Sequence, residues 1–109
     1  MTLFCDAWTS SIDTPSFATA ALDLLFEHST RGLLNLAAAE VYSKEDFIRE
    51  IATKMGCTLS RATSGSVHDV LPGRASSLGL DVSRAQKILP YELPGLSQVV
   101  AKLIKQAGL

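Results

Sequence analysis

Several common chemistries find no support in this chain. Its 109 residues set ten Lys and Arg against eleven Asp and Glu, and no basic block stands out. Gripping nucleic acid through its phosphates takes a concentrated positive surface, so nucleic acid is not an expected partner. Only two cysteines are present, Cys5 and Cys57, far apart and without metal-type spacing. Two thiols do not make a disulfide framework; they read as small buried or half-buried hydrophobes. His28 and His68 are isolated, so no metal site is expected. No apolar run approaches the roughly 18 residues of a membrane span. The opening "MTLFCDAWTSS" lacks the basic start and long apolar stretch of a secretion signal. The expected location is cytoplasmic, away from any membrane.

Catalytic signatures are missing too. A dinucleotide site needs a glycine-rich turn between strand and helix, so that phosphates can approach backbone N–H groups. The glycines here form no GxGxxG, GxxGxxG or Walker A spacing. A Tyr-x-x-x-Lys pair is absent: Tyr42 is followed four residues later by Asp46, and Tyr91 by Gly95. No nucleophile-elbow sequence frames a serine. His68-Asp69 is a pair of loop neighbours, and Glu45-Asp46 is accounted for by helix capping. No catalytic, cofactor-binding or metal-binding residue is therefore expected in the chain itself.

What is present is a single domain's worth of alternating elements, residues 1–109. At 47% hydrophobic residues, the chain has more apolar surface than one small core absorbs. Residues 1–8 read as an extended start. Thr14 is placed to cap a helix with Pro15 at its first position, running to about Ser29. "LLNLAAA", residues 33–39, is short, nearly all apolar and without alternation, as in a strand of a parallel sheet covered on both faces. Ser43 opens the clearest helix, with acids in its first turn and Gly56 at its end. Residues 57–63 are a second strand candidate, and 64–77 a loop. A short helix follows over 83–89, with Asp81 or Ser83 as its cap. Pro94-Gly95 opens a last helix striped by Leu96, Val99, Val100, Leu103 and Ile104. The fold class is α/β, with helices around a short, mostly parallel sheet.

The order of pieces carries a resemblance. "CDAWTSSIDTPSFATAALDLL", then "RGLLNLAAAEVYSKEDFIREIATKMG", then "GRASSLGLDVSRAQKILPYELPGLSQVVAKLI" resembles the C-terminal part of the dTDP-4-dehydrorhamnose reductase family. These are sugar-nucleotide enzymes of the extended short-chain dehydrogenase/reductase class. The counterparts of the family's segments are Gly32 to Ala38, Ser43 to Gly56, Arg74 to Arg84, and Leu93-Pro94. Ala75 stands where the family has proline, and Arg84 where it has lysine. The resemblance implies a substrate-side domain without the Rossmann half that would carry NADPH and the catalytic Tyr/Lys pair. It would be either an excised part or a truncated paralogue. In the parent enzyme, NADPH would reduce the C4 keto group of a dTDP-linked 6-deoxyhexose. The other reading is a non-catalytic interaction module that keeps the fold. A homodimer is expected, by helix packing from the 15–29 segment or by strand pairing, because an apolar strand without neighbours wants cover.

One residue is singled out for binding. Arg74 lies in a Gly/Ser loop before the 83–89 helix. By its surroundings it is a solvated loop arginine, or one paired with Asp69 or Asp81. The resemblance implies a third role, gripping the diphosphate of the nucleotide-sugar substrate, for which its planar fork is suited.

Overall fold

Ser43 shows how local sequence sets the best-defined element. Its hydroxyl accepts from the Asp46 N–H at 3.0 Å, and the Asp46 carboxylate accepts from the Ser43 N–H at 3.4 Å. This reciprocal cap starts helix α2, Lys44–Met55. Gly56 ends it in the left-handed region at φ 68°, which glycine adopts without steric cost. The computed structural model describes residues 1–108. Its other helices are α1 (Thr14–Leu22), continued by a π-helical turn over Asp23–Glu27, α3 (Val67–Val70), α4 (Ser83–Ile88) and α5 (Leu96–Gln106). Strands β1 (Thr2–Phe4) and β4 (Thr63–Gly65) pair in parallel; β2 (Trp8–Thr9) and β3 (Tyr42–Ser43) pair antiparallel. The fold is thus mixed α/β, with helices around very short sheets.

Two apolar clusters hold these elements. Ala20, Leu24, Ala37, Val82, Ala85, Leu89 and Leu93 join α1 and its π turn to α4 and the segments around it. Ala38, Tyr42 and Val99 form the second cluster, with Ile12, Phe47, Leu96 and Leu103 packed against it, and the Tyr42 and Phe47 rings stack. The helix stripe read from the sequence of α5 is real, since Val99 and Val100 are buried. Its start is held from outside: the Glu40 carboxylate accepts from the Leu96 N–H at 3.0 Å, where the helix dipole favours negative charge.

Several expectations are corrected. Residues 33–39 form no strand. Ala37 and Ala38 are buried, but Leu33 is 93% exposed. The segment's backbone bonds go to separate loops: the Ala38 N–H donates to the Ser10 carbonyl and the Ala39 N–H to the Pro94 carbonyl. Arg84 ties its start by donating to the carbonyls of Arg31 and Leu33. The run is leucine and alanine apart from Asn35, with no β-branched residue, a weak strand former despite its apolarity. The second strand lies at Thr63–Gly65, at the end of the 57–63 candidate and running into the expected loop, which also contains α3. It is defined by its partner, since a Cβ on Gly65 would come within 2.7 Å of the Thr2 methyl. Asp13, not Thr14, caps α1: its carboxylate accepts from the Ser16 N–H at 2.9 Å. Cys5 and Cys57 are exposed rather than buried.

Candidate functional site

The strand bearing Trp8 is bonded along both edges. On one side it pairs with β3, and the Lys44 N–H donates to the Ala7 carbonyl at 2.9 Å. On the other, the Trp8 N–H donates to the Ser76 carbonyl at 2.8 Å and the Leu78 N–H to the Trp8 carbonyl at 2.9 Å. The loop carrying Arg74 is thereby zipped to the chain's start. Between them lies a cleft of about 250 Å³, lined by Phe4, Ala7, Trp8, Lys44, Val67, Leu71, Arg74, Ala75 and Leu78.

Arg74 reaches this cleft through a chain of local constraints. The Asp6 carboxylate accepts from the Ser66 hydroxyl at 2.6 Å and the Val67 N–H at 2.8 Å, which fixes the start of α3. The Leu71 N–H closes α3 onto the Val67 carbonyl at 2.7 Å. Gly73 then turns the backbone at φ 84°, and Arg74 follows. Among the described residues Arg74 makes no ion pair, so neither Asp69 nor Asp81 is its partner. Asp81 instead accepts from the Ser83 N–H at 2.9 Å, just ahead of α4, and that bond holds its carboxyl below the usual range. Lys44 likewise has no ion-pair partner among the described residues. The cleft lining includes two cations and no carboxylate.

Hydrogen bonds from Ser66 and Val67, with the His68 charge nearby, hold the Asp6 carboxyl below its usual value of 3.8. Its folded pKa is depressed, so its stabilisation is present above the unfolded value and is lost as pH falls through the folded one. The α3 amides are expected to lose protection relative to their intrinsic exchange rates below about pH 4, and Asp6→Asn should show the lower protection already at neutral pH. Equal α3 protection in both proteins at pH 7 would remove Asp6 from this role.

A second cavity of about 220 Å³ is lined in part by Ser16, Tyr91, Gln98 and Lys102. Its lining carries the Glu92 carboxylate, and its lysine and tyrosine are already engaged. Lys102 donates to the Ser16 hydroxyl at 2.6 Å, and Tyr91 donates to Asp23 at 2.6 Å. The bond to Asp23 pushes the Tyr91 hydroxyl up to about 12. The cleft with unpaired cations is the better candidate for an anionic ligand. Sequence reasoning reached Arg74 but missed Lys44, which reads there as a helix-start residue, and Trp8, the sole tryptophan, which stands in the "CDAWTSS" stretch of the resemblance with no role assigned to it. No group of residues able to hold a metal occurs among the described residues. No described helix is long and apolar enough to cross a membrane.

No family model matches the chain, and no curated protein matches it by sequence. Solved structures do resemble it. The dTDP-4-dehydrorhamnose reductase from Yersinia enterocolitica superposes with a TM-score of 0.72 at 15% identity, over 93% of this chain and 37% of that one. The dTDP-glucose 4,6-dehydratase from Bacillus anthracis str. Ames, solved in complex with NAD, superposes with a TM-score of 0.68 at 12% identity, over 98% of this chain and 34% of that one. The chain therefore spans about a third of the length of each. At such identities the likeness shows a shared fold, and both proteins that share it are named for dTDP-linked sugars.

Proposed function

We propose that these residues form the substrate-side part of a nucleotide-sugar oxidoreductase, and that Arg74 binds the substrate diphosphate in the Trp8 cleft. The observation that carries this reading is the pair of unpaired cations, Lys44 and Arg74, on one cleft without a carboxylate in its lining. The likeness to two dTDP-sugar enzymes supports the same ligand class. A guanidinium offers two parallel N–H donors to phosphate oxygens, and the ammonium adds a point charge beside it. The role of this chain is to bind and orient. In a dTDP-4-dehydrorhamnose reductase the reaction served would be reduction of the C4 keto group of a dTDP-6-deoxyhexose, with the cytoplasm as its compartment.

A nicotinamide cofactor does not fit the residues described. Gly65-Ser66 does join a strand to a helix, but the Val67 N–H at that helix start is taken by the Asp6 carboxylate. The β3-to-α2 junction has no glycine and is closed by its own capping box. No hydride step is assigned to this chain.

Calorimetry separates these statements. The chain titrated with dTDP is expected to give a saturable heat, and with NADPH none. Absence of dTDP binding overturns the diphosphate reading, and saturable NADPH binding overturns the cofactor argument.

The interaction-module reading has one observation in its favour. Leu22, Leu25 and Phe26 stand exposed along the end of α1 and its π turn, with Phe26 74% exposed. On this reading a second copy covers them by helix packing, one of the two modes expected from the sequence. Sedimentation should show dimer at micromolar concentrations and monomer for Phe26→Glu. A concentration-independent monomer in the parent chain removes the homodimer.

A further inference from the structure

We infer that Trp8 is the stacking platform for the nucleobase, so that the cleft takes a nucleoside diphosphate by its base as well as by its phosphates. This rests on the diphosphate reading above and extends it to the other end of the ligand. The chain's single tryptophan is 40% exposed at the cleft. Its backbone is nevertheless bonded along both edges, to β3 and to Ser76–Leu78. The strand fixes the point from which the indole projects, and a tryptophan side chain has only two torsions to order when a ring is laid on it.

The cleft's other walls suit the same ligand. Phe4, Val67, Leu71 and Leu78 supply apolar surface around the indole, while Lys44 and Arg74 supply positive charge. An apolar, aromatic pole next to a cationic one is the chemistry that reads a base joined to phosphates, since every base has a π face and every diphosphate is an anion. Size agrees with a part of a larger ligand: about 250 Å³ is below the roughly 300–1,000 Å³ of pockets that enclose a whole drug-sized molecule. The remainder of a nucleotide sugar would project out of the cleft. An apolar peptide has no use for the two cations, and inorganic phosphate none for the indole.

Because Trp8 is the only tryptophan, indole fluorescence reports on this position alone. Saturable quenching is expected with dTDP, weak quenching with thymidine, and little with inorganic pyrophosphate. In calorimetry, Trp8→Leu keeps an apolar side chain but removes the π face. It should weaken dTDP binding by about 5- to 150-fold and leave pyrophosphate binding within about twofold. Trp8→Phe, which keeps a π face and tests the same point if the leucine variant folds poorly, should remain within a few-fold of the parent for dTDP. If pyrophosphate binds as tightly as dTDP and Trp8→Leu costs nothing, the stacking platform is overturned while the diphosphate reading survives. If neither dTDP nor pyrophosphate binds, both are overturned.

Discussion

Truncating Leu93 to alanine is expected to destabilise the fold by about 2–5 kcal/mol. Leu93 is 2% exposed and packs in the cluster that contains Ala20, Leu24, Ala85 and Leu89. Its surroundings cannot easily collapse into the space left. The Leu93 N–H donates to the Gln86 side-chain carbonyl at 2.8 Å, and the Gln86 amide donates to the Tyr91 carbonyl at 2.6 Å. These bonds hold the backbone at a fixed distance from α4, so a cavity remains. Against a total stability of about 5–15 kcal/mol for a single domain, the loss is large. Urea unfolding should show a lower midpoint at unchanged slope. Leu33→Ala is the control. At 93% exposure it should change stability by no more than about 0.5 kcal/mol. Equal losses from the two truncations would mean that residues 33–39 are packed after all, as a buried strand would be.

That pair of leucines also shows what was legible in the sequence. Helix α2 was readable because its signals are local: a serine cap, an acid three residues on, and a glycine where the chain leaves the helix. The α5 stripe was readable for the same reason, since Val99 and Val100 follow helical spacing. Residues 33–39 were misread because apolarity without periodicity does not separate a strand from an extended crossing segment. What decides it is whether another strand lies alongside, and here Ser10, Pro94 and Arg84 do instead. Strand β4 escaped for the converse reason. Thr63-Ser64-Gly65 is polar and becomes a strand only against Thr2–Phe4. Asp13 and Thr14 are both acceptable caps in isolation. Asp13 takes the role as a buried carboxylate, 1% exposed, an environment the local sequence does not reveal. The site divides in the same way. Arg74 could be singled out from its loop and from the family resemblance. Trp8 and Lys44 could not, because they meet Arg74 only once the Ser76–Leu78 backbone pairs with Trp8.

Replacing Arg74 should weaken dTDP binding more than any other single change at the polar end of the cleft. Charge-assisted hydrogen bonds of the kind a guanidinium makes to phosphate are worth about 1.5–3 kcal/mol, so Arg74→Ala is expected to lose about 10- to 100-fold in affinity. Arg74→Lys keeps the charge but replaces a planar fork by a single rotating ammonium, and should recover only part of that loss. Lys44→Ala should cost less than Arg74→Ala, because it removes a charge but no bidentate partner. All three losses should shrink as salt is raised, since the cleft is open to solvent and its charges are screened. The alanine variant should fold normally, because the Arg74 side chain makes no hydrogen bond or ion pair among the described residues. Asp81→Ala provides the contrast. It removes the carboxylate that holds the turn into α4, so it should lower the melting temperature with little effect on dTDP. If Arg74→Ala and Arg74→Lys both bind dTDP like the parent while Asp81→Ala still melts early, the turn is structural and Arg74 is a solvated loop residue. If the order of losses runs Ala, then Lys, then parent, the guanidinium holds the diphosphate.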